Sequence, residues 1–184
     1  MFIEGYYDAI AGAMRPVSAN QGVGTSTTDV DTVTVELRDA TTYTLVASTT
    51  AMLQTNGNAT ATFSTAPTGS FYIAVRHRNA LETWSTAPQT VGATALNYDF
   101  STAANKAYGD NMKDLGAGVY GFYSGDINQD GFIEAFDFAP LFNDNDNFAE
   151  GYYTTDLNGD GFVEAFDYPI LFNNSDNFVE TLHP

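Results

Sequence analysis

A duplication constrains this chain more than any other feature. Residues 124–153 and 154–183 are identical at 16 of 30 aligned positions. The shared positions are led by Asp126-Ile-Asn-Gln-Asp-Gly-Phe-Ile-Glu-Ala-Phe-Asp137 and Asp156-Leu-Asn-Gly-Asp-Gly-Phe-Val-Glu-Ala-Phe-Asp167. The likeness continues through Leu141-Phe142-Asn143 and Leu171-Phe172-Asn173 to Asp146-Asn147-Phe148 and Asp176-Asn177-Phe178, so a whole supersecondary unit is repeated. One acidic run rich in Asn and Gly is ordinary in a solvated turn. Two copies in fixed register are not.

Each copy offers side-chain oxygens at positions 1, 3, 5, 9 and 12, with glycine at position 6, which is the pattern of an EF-hand calcium loop. A hard cation of that size wants six to eight oxygens at about 2.3–2.6 Å, more than a short helix or strand can converge. In the first loop Asp126, Asn128, Asp130, Glu134 and Asp137 are the side-chain donors, Phe132 gives its carbonyl, and Gly131 allows the sharp turn. In the second, Asp156, Asn158, Asp160, Glu164, Asp167, Phe162 and Gly161 stand in the same places. The expected cofactor is two Ca²⁺ ions. Mg²⁺ fits less well, since it demands octahedral geometry and gives up its waters reluctantly.

Position 12 is Asp in both copies, a shorter arm that asks for a tighter loop. With Asn at position 3 and an aliphatic residue at position 8 (Ile133, Val163), this resembles the duplicated F-hand of dockerin domains over roughly residues 120–184. The resemblance implies a pair of loop–helix units related by near two-fold symmetry, binding two Ca²⁺ in a secreted bacterial protein and docking onto cohesin partners. Dockerins often carry a Ser-Thr pair at loop positions 10 and 11 and basic residues further along the helix. Here those positions hold Ala135-Phe136 and Ala165-Phe166, and no Lys or Arg follows. Phe136 and Phe166 are therefore the partner-binding candidates, as a symmetric hydrophobic patch.

Residues 2–100 alternate short Thr-, Val-, Tyr- and Phe-rich runs with Gly, Asn, Pro and Ser, the texture of an all-β domain. Thr32–Arg38 alternates strictly, with Val33, Val35 and Leu37 on one face, and Gly69–Arg78 reads as another strand, with Phe71, Ile73, Val75 and His77 on one face opposite Tyr72, Ala74, Arg76 and Arg78. Tyr43–Leu53, Thr60–Phe63 after an Asn56-Gly57 turn, Leu81–Trp84, Ala95–Phe100 and the opening Phe2–Tyr7 complete roughly seven strands. The expectation is a mainly β protein: an antiparallel β-sandwich over residues 1–118, then a small dockerin-like α domain over 119–184 with two EF-hand-type loops. Leu115–Tyr123 reads as a last strand leading into the first loop, which packs the two domains together. Phe138, Leu141 and Phe142, and Tyr168, Leu171 and Phe172, share helix faces, and Pro140 and Pro169 are expected near the first turns of brief helices. The four-residue word Glu-Gly-Tyr-Tyr occurs at 4–7 and again at 150–153. Nothing around it repeats, and it reads as a local turn preference.

A net charge of −17 and six basic residues leave no phosphate-tracking patch, which argues against nucleic-acid binding. Disorder is excluded by a hydrophobic fraction of 43%, ample for a packed core. Without cysteine there are no disulfides and no thiol catalysis. No stretch approaches the ~20 apolar residues of a membrane helix. Calcium loops fill where calcium is millimolar, which favours a secreted or cell-surface setting, and the chain reads as part of a longer exported protein with Met1 an added start. Tyr72–Trp84, Lys106–Met112 and the paired loops together resemble C-terminal modules of large secreted surface proteins of Bacteroidota, where a β-domain precedes dockerin-like repeats.

No nucleophile–base pair stands out, and His77, mid-strand, reads as a packed residue, so the chain is not expected to be an enzyme. The expected role is a non-catalytic, calcium-binding module for protein docking, anchoring or adhesion at the cell surface. The alternative is a calcium-dependent carbohydrate-binding module that presents Trp84 to a polysaccharide with Arg76 and Arg78 as its polar rim.

Overall fold

In a computed structural model, residues 1–65 and 67–184 are described. After a bridge from Ile3 to Phe122 and a 3₁₀ turn at Glu4–Tyr6, Tyr7–Asp8 (β1) pairs with Ala13–Met14 (β2). A single helical turn follows at Val17–Asn20 (α1). Asp29–Asp39 (β3), Leu45–Gln54 (β4), Gly69–His77 (β5), Ala80–Trp84 (β6) and Gln89–Val91 (β7) then form one antiparallel sheet, with β4, β3, β5 and β6 adjacent in that order and β7 also on β5. The register follows the alternation: Val35 lies opposite Thr49 on β4 and Val75 on β5. Val33, Val35, Leu37, Ile73 and Val75 thus share one buried face.

That face is covered by Ile3, Tyr6, Met14, Val17, Phe100, Ala107, Met112 and Phe122 in one hydrophobic cluster. The covering layer is built of loops, 3₁₀ turns and two-stranded ribbons, where a sandwich would place a second full sheet. Two stretches expected to be strands do not form ladders. Ala59 makes a single bridge to Leu53, and beyond it the Thr49 hydroxyl holds the carbonyl of Thr62 at 3.0 Å. Residues 95–100 run as loop, ended by Asp99, whose carboxylate takes the Ser101 amide and hydroxyl. The expected single strand 115–123 is a hairpin of Lys113–Gly116 (β8) and Val119–Gly121 (β9), because Ala117 and Gly118 both take positive φ.

The repeats carry Ala135–Asp146 (α2) and Tyr168–Asp176 (α3). Pro169 lies in the first turn of α3, as expected. Pro140 lies inside α2, which continues past it to 12 residues at the cost of one backbone hydrogen bond, so this helix is not brief. Leu141, Leu157, Leu171, Ile133 and Val163 form a second hydrophobic cluster, joined by Leu81 from β6. Each repeat is closed by the other. The segment after α2 pairs with the second loop (Val163 N–H to Ala149 O, 2.9 Å; Gly151 N–H to Gly161 O, 2.8 Å). The segment after α3 pairs with the first (Ile133 N–H to Val179 O, 2.9 Å; Thr181 N–H to Gly131 O, 2.7 Å).

Candidate calcium centre and docking face

The two loops fold alike from equivalent residues. Asn128 Oδ1 accepts the Asp130 amide and Asp130 Oδ1 accepts the Phe132 amide, at 2.9 and 3.0 Å; Asn158 and Asp160 repeat this at 2.8 and 3.0 Å. These short side chains bend the backbone into successive turns. Gly131 and Gly161 take φ of +89° and +96°, as the sharp turn at position 6 requires. Position 12 explains its own shortness. Asp137 Oδ1 takes the amides of Ile127 and Asn128 while Oδ2 takes that of Glu134, and Asp167 makes the same three bonds to Leu157, Asn158 and Glu164. Each carboxylate draws its loop shut at both ends, which is the tightening that Asp in place of Glu demands.

The electrostatics are those of a site lacking positive charge. Asp126, Asp137, Asp156 and Asp167 are all nearly inaccessible to solvent. Burial, then the charges of Asp137 and Asp130, push Asp126 up to about 7. Burial likewise lifts Asp167 to about 7 against three backbone hydrogen bonds, and it raises Asp137 and Asp156. Oδ1 of Asp126 is buried with no hydrogen-bond partner among the described residues. An orphaned, buried carboxylate oxygen beside two more carboxylates fits a hard divalent cation. Among the described residues, no group of three or more His, Cys, Asp or Glu suffices to hold an ion alone. Any ion held here therefore relies on the Asn and carbonyl oxygens as well.

The surroundings of the two loops differ. Loop 1 is partly exposed and braced by itself, Gln129 Nε2 donating to Asp126 O at 2.6 Å. Loop 2 lies against the N-terminal half of the chain: Gln21 Nε2 donates to Asp156 Oδ2 at 2.6 Å, Arg15 Nη1 to Asn158 O at 2.8 Å and Asn20 Nδ2 to Gly159 O at 2.9 Å.

Around the loops, phenylalanine side chains stand in solvent as matched pairs. Phe136 and Phe166 are each 71% exposed, and Phe148 and Phe178 are 85% and 89% exposed. Phe142 and Phe172 are half exposed, while Leu141 and Leu171 beside them are buried. Phe148 and Phe178 also hold a left-handed backbone at the C-terminal ends of α2 and α3, where glycine is usual. Sequence reading singled out only Phe136 and Phe166. The repeated Phe in Asp-Asn-Phe was the available signal for the second pair.

Residues 124–174 match the family model of the dockerin type I domain. No curated protein and no solved structure matches the chain. The C-terminal repeat is thus dockerin-like, and dockerins are non-catalytic, calcium-binding modules that dock onto protein partners in extracellular and cell-surface proteins.

The residues proposed for sugar binding do not form a platform. Trp84 is only 4% exposed; its Nε1 donates to Glu82 at 2.7 Å and the Arg38 guanidinium lies 5.5 Å over its ring. Arg76 pairs with Glu82 at 3.2 Å on the same face of the sheet. Arg78 is turned inward, its Nε on Asp31 at 2.7 Å and its Nη2 on Tyr6 Oη and Gln21 Oε1 at 2.9 and 2.8 Å. It also bonds the Tyr153 carbonyl and lies 4.2 Å over the Tyr152 ring. Both copies of Glu-Gly-Tyr-Tyr therefore meet on one arginine. Nothing in the spacing of the sequence announced that convergence. No helix is long and apolar enough to cross a membrane among the described residues.

Proposed function

We propose that the chain is a calcium-stabilised, non-catalytic docking module of a secreted or cell-surface protein, of the kind found at the C-terminal ends of such proteins in Bacteroidota. A β-rich domain, residues 1–118, carries a dockerin-like unit, residues 119–184. Asp126, Asn128, Asp130, Glu134, Asp137 and the Phe132 carbonyl hold one Ca²⁺; Asp156, Asn158, Asp160, Glu164, Asp167 and the Phe162 carbonyl hold the second. The ions neutralise carboxylates that burial otherwise disfavours. The observation that carries this reading is the unpartnered, buried Oδ1 of Asp126 inside a loop of oxygen donors.

The paired phenylalanines, led by Phe136 and Phe166, form the face that meets a protein partner. From residue 124 onward there are 13 acidic residues and no Lys or Arg, so that partner surface offers basic groups around apolar pockets. Calorimetric titration of chelator-treated protein tests the calcium reading, with two binding events expected. Asp130→Ala and Asp160→Ala should each remove one of them and lower the melting temperature in calcium. A titration without heat, and a melting temperature indifferent to chelator, would refute it.

A further inference from the structure

The two loops share a sequence pattern but differ in what holds them, and the difference falls at position 4. In loop 1 that position is Gln129, whose side-chain amide donates to the carbonyl of Asp126 at 2.6 Å. Loop 2 has Gly159 there. A β-carbon on Gly159 would lie 2.5 Å from Val17 Cγ2 and 2.8 Å from Tyr6 Cδ1, so the missing side chain is what lets the N-terminal segment close on the loop. The hydrogen bond that Gln129 makes in loop 1 is supplied from outside in loop 2, by Asn79 Nδ2 at 3.2 Å from Asp156 O.

Further contacts follow the same plan. A β-carbon on Gly161 would meet Asn20 O at 2.5 Å, and one on Gly5 would meet Leu157 O at 1.9 Å. Gln21, itself 3% exposed, donates to Asp156 Oδ2, the same oxygen that takes the Gly161 amide at 2.8 Å. Its own carbonyl oxygen is fixed by Arg78. Asp156 consequently has every oxygen engaged and directed, whereas Asp126, its counterpart, keeps one orphaned.

We infer that Gln21 and Asn79 are positioning residues of the second calcium loop, so that packing of the β-rich part against loop 2 and occupancy of that loop stabilise each other. The inference rests on the calcium reading of the loops. Groups that orient a metal ligand from outside its coordination shell typically contribute about 10–100-fold in affinity. Linkage is reciprocal: whatever the packing adds to calcium affinity, calcium adds to the packing. Loop 2 becomes the tighter site, and its ion fastens the N-terminal half of the chain to the docking unit.

The test uses the full chain and Ca²⁺ by calorimetry, one loop at a time. In an Asp130→Ala background, which leaves loop 2 to be read, Gln21→Met keeps the buried volume and removes the donor; calcium affinity should fall about 10–100-fold. In an Asp160→Ala background, which leaves loop 1, the same substitution should change affinity less than twofold. A second readout is amide hydrogen exchange over residues 16–21, which calcium should slow in the Asp130→Ala background and leave alone in the Asp160→Ala background. Should Gln21→Met fail to fold, Asn20→Ala, at the exposed rim of the same contact, is expected to lower loop 2 affinity selectively. Equal effects on both loops, or none on either, overturn the inference while leaving the calcium reading intact. No calcium binding to the unsubstituted chain overturns both.

Discussion

Replacing Arg78 with alanine removes the one side chain on which Asp31, Tyr6, Gln21 and the Tyr152-Tyr153 segment all converge. The Asp31 side chain is 3% exposed and would be left with the His77 ring at 3.1 Å, the Tyr152 hydroxyl at 2.7 Å and the Thr32 amide at 2.7 Å. Removing one partner of a buried ion pair costs about 3–5 kcal/mol. Because three donors remain to Asp31, the lower end applies, about 3 kcal/mol, or roughly 6–12 °C in melting temperature for a chain of this size. The assay is urea unfolding by circular dichroism at fixed, saturating calcium. Arg78→Lys should recover part of the loss through Asp31 but not the fork that also serves Gln21 and Tyr6. The cycle closed by Asp31→Asn and the double variant should show the two sites non-additive by at least about 1 kcal/mol. A loss under about 1 kcal/mol for Arg78→Ala, the range of a surface pair, together with an additive cycle, would refute the assignment of Arg78 as a structural hub.

Gly159→Ala should cost about 2–5 kcal/mol, from left-handed backbone strain at φ +72° together with overpacking against Val17 and Tyr6, whereas Gln129→Gly in the other loop should be near neutral. Equal unfolding free energies for the two variants would contradict the packing described. Burial lowers the pKa of His77 despite the hydrogen bond and charge of Asp31, with Arg78 adding to the depression. The unfolded chain therefore takes a proton near pH 6.5 that the folded chain declines, and stability in saturating calcium should fall as pH drops below that value, by at most about 1.4 kcal/mol per pH unit. Asp31, held well below the usual carboxylate range because His77 and Arg78 outweigh its burial, adds a loss of the same sign below about pH 4. His77→Gln should flatten the first slope in melting curves from pH 7.5 to 5; an unchanged slope would remove His77 from the account. Phe148→Gly and Phe178→Gly relieve the left-handed backbone and should each raise stability by about 1 kcal/mol while weakening capture of the protein partner. Loss of stability in both would show that these rings pack in solution.

Legibility differed between the two halves for a physical reason. The ligand set at 126–137 and 156–167, the turn glycines and the buried Leu141 and Leu171 are written in local spacing, and the duplication doubles the signal. Strands β3 and β5 were equally plain because Val33, Val35 and Leu37, and Phe71, Ile73 and Val75, fall at every second position within runs of strand-forming residues. What covers that sheet was not legible. Residues 95–100 have strand composition but run as loop, and the 115–123 run bends at Ala117, a residue whose positive φ composition does not advertise. Whether Trp84 was a core ring or a platform for sugar was not legible, because sequence shows neither Arg38 above it nor Glu82 at its edge. The inward turn of Arg78 depends on contacts 47 to 75 residues away in the chain, a separation at which no pattern speaks.

The exchange of closing segments between repeats has a topological consequence. Residues 149–151 finish the second loop and residues 179–181 finish the first, so neither half of the duplication is a complete folding unit. Cutting the chain after residue 178 strips the partner from the loop some fifty residues upstream and leaves the nearer one whole. The repeats are therefore interdependent: a single repeat has an open edge that a second copy fills, whether it comes from the same polypeptide or from another.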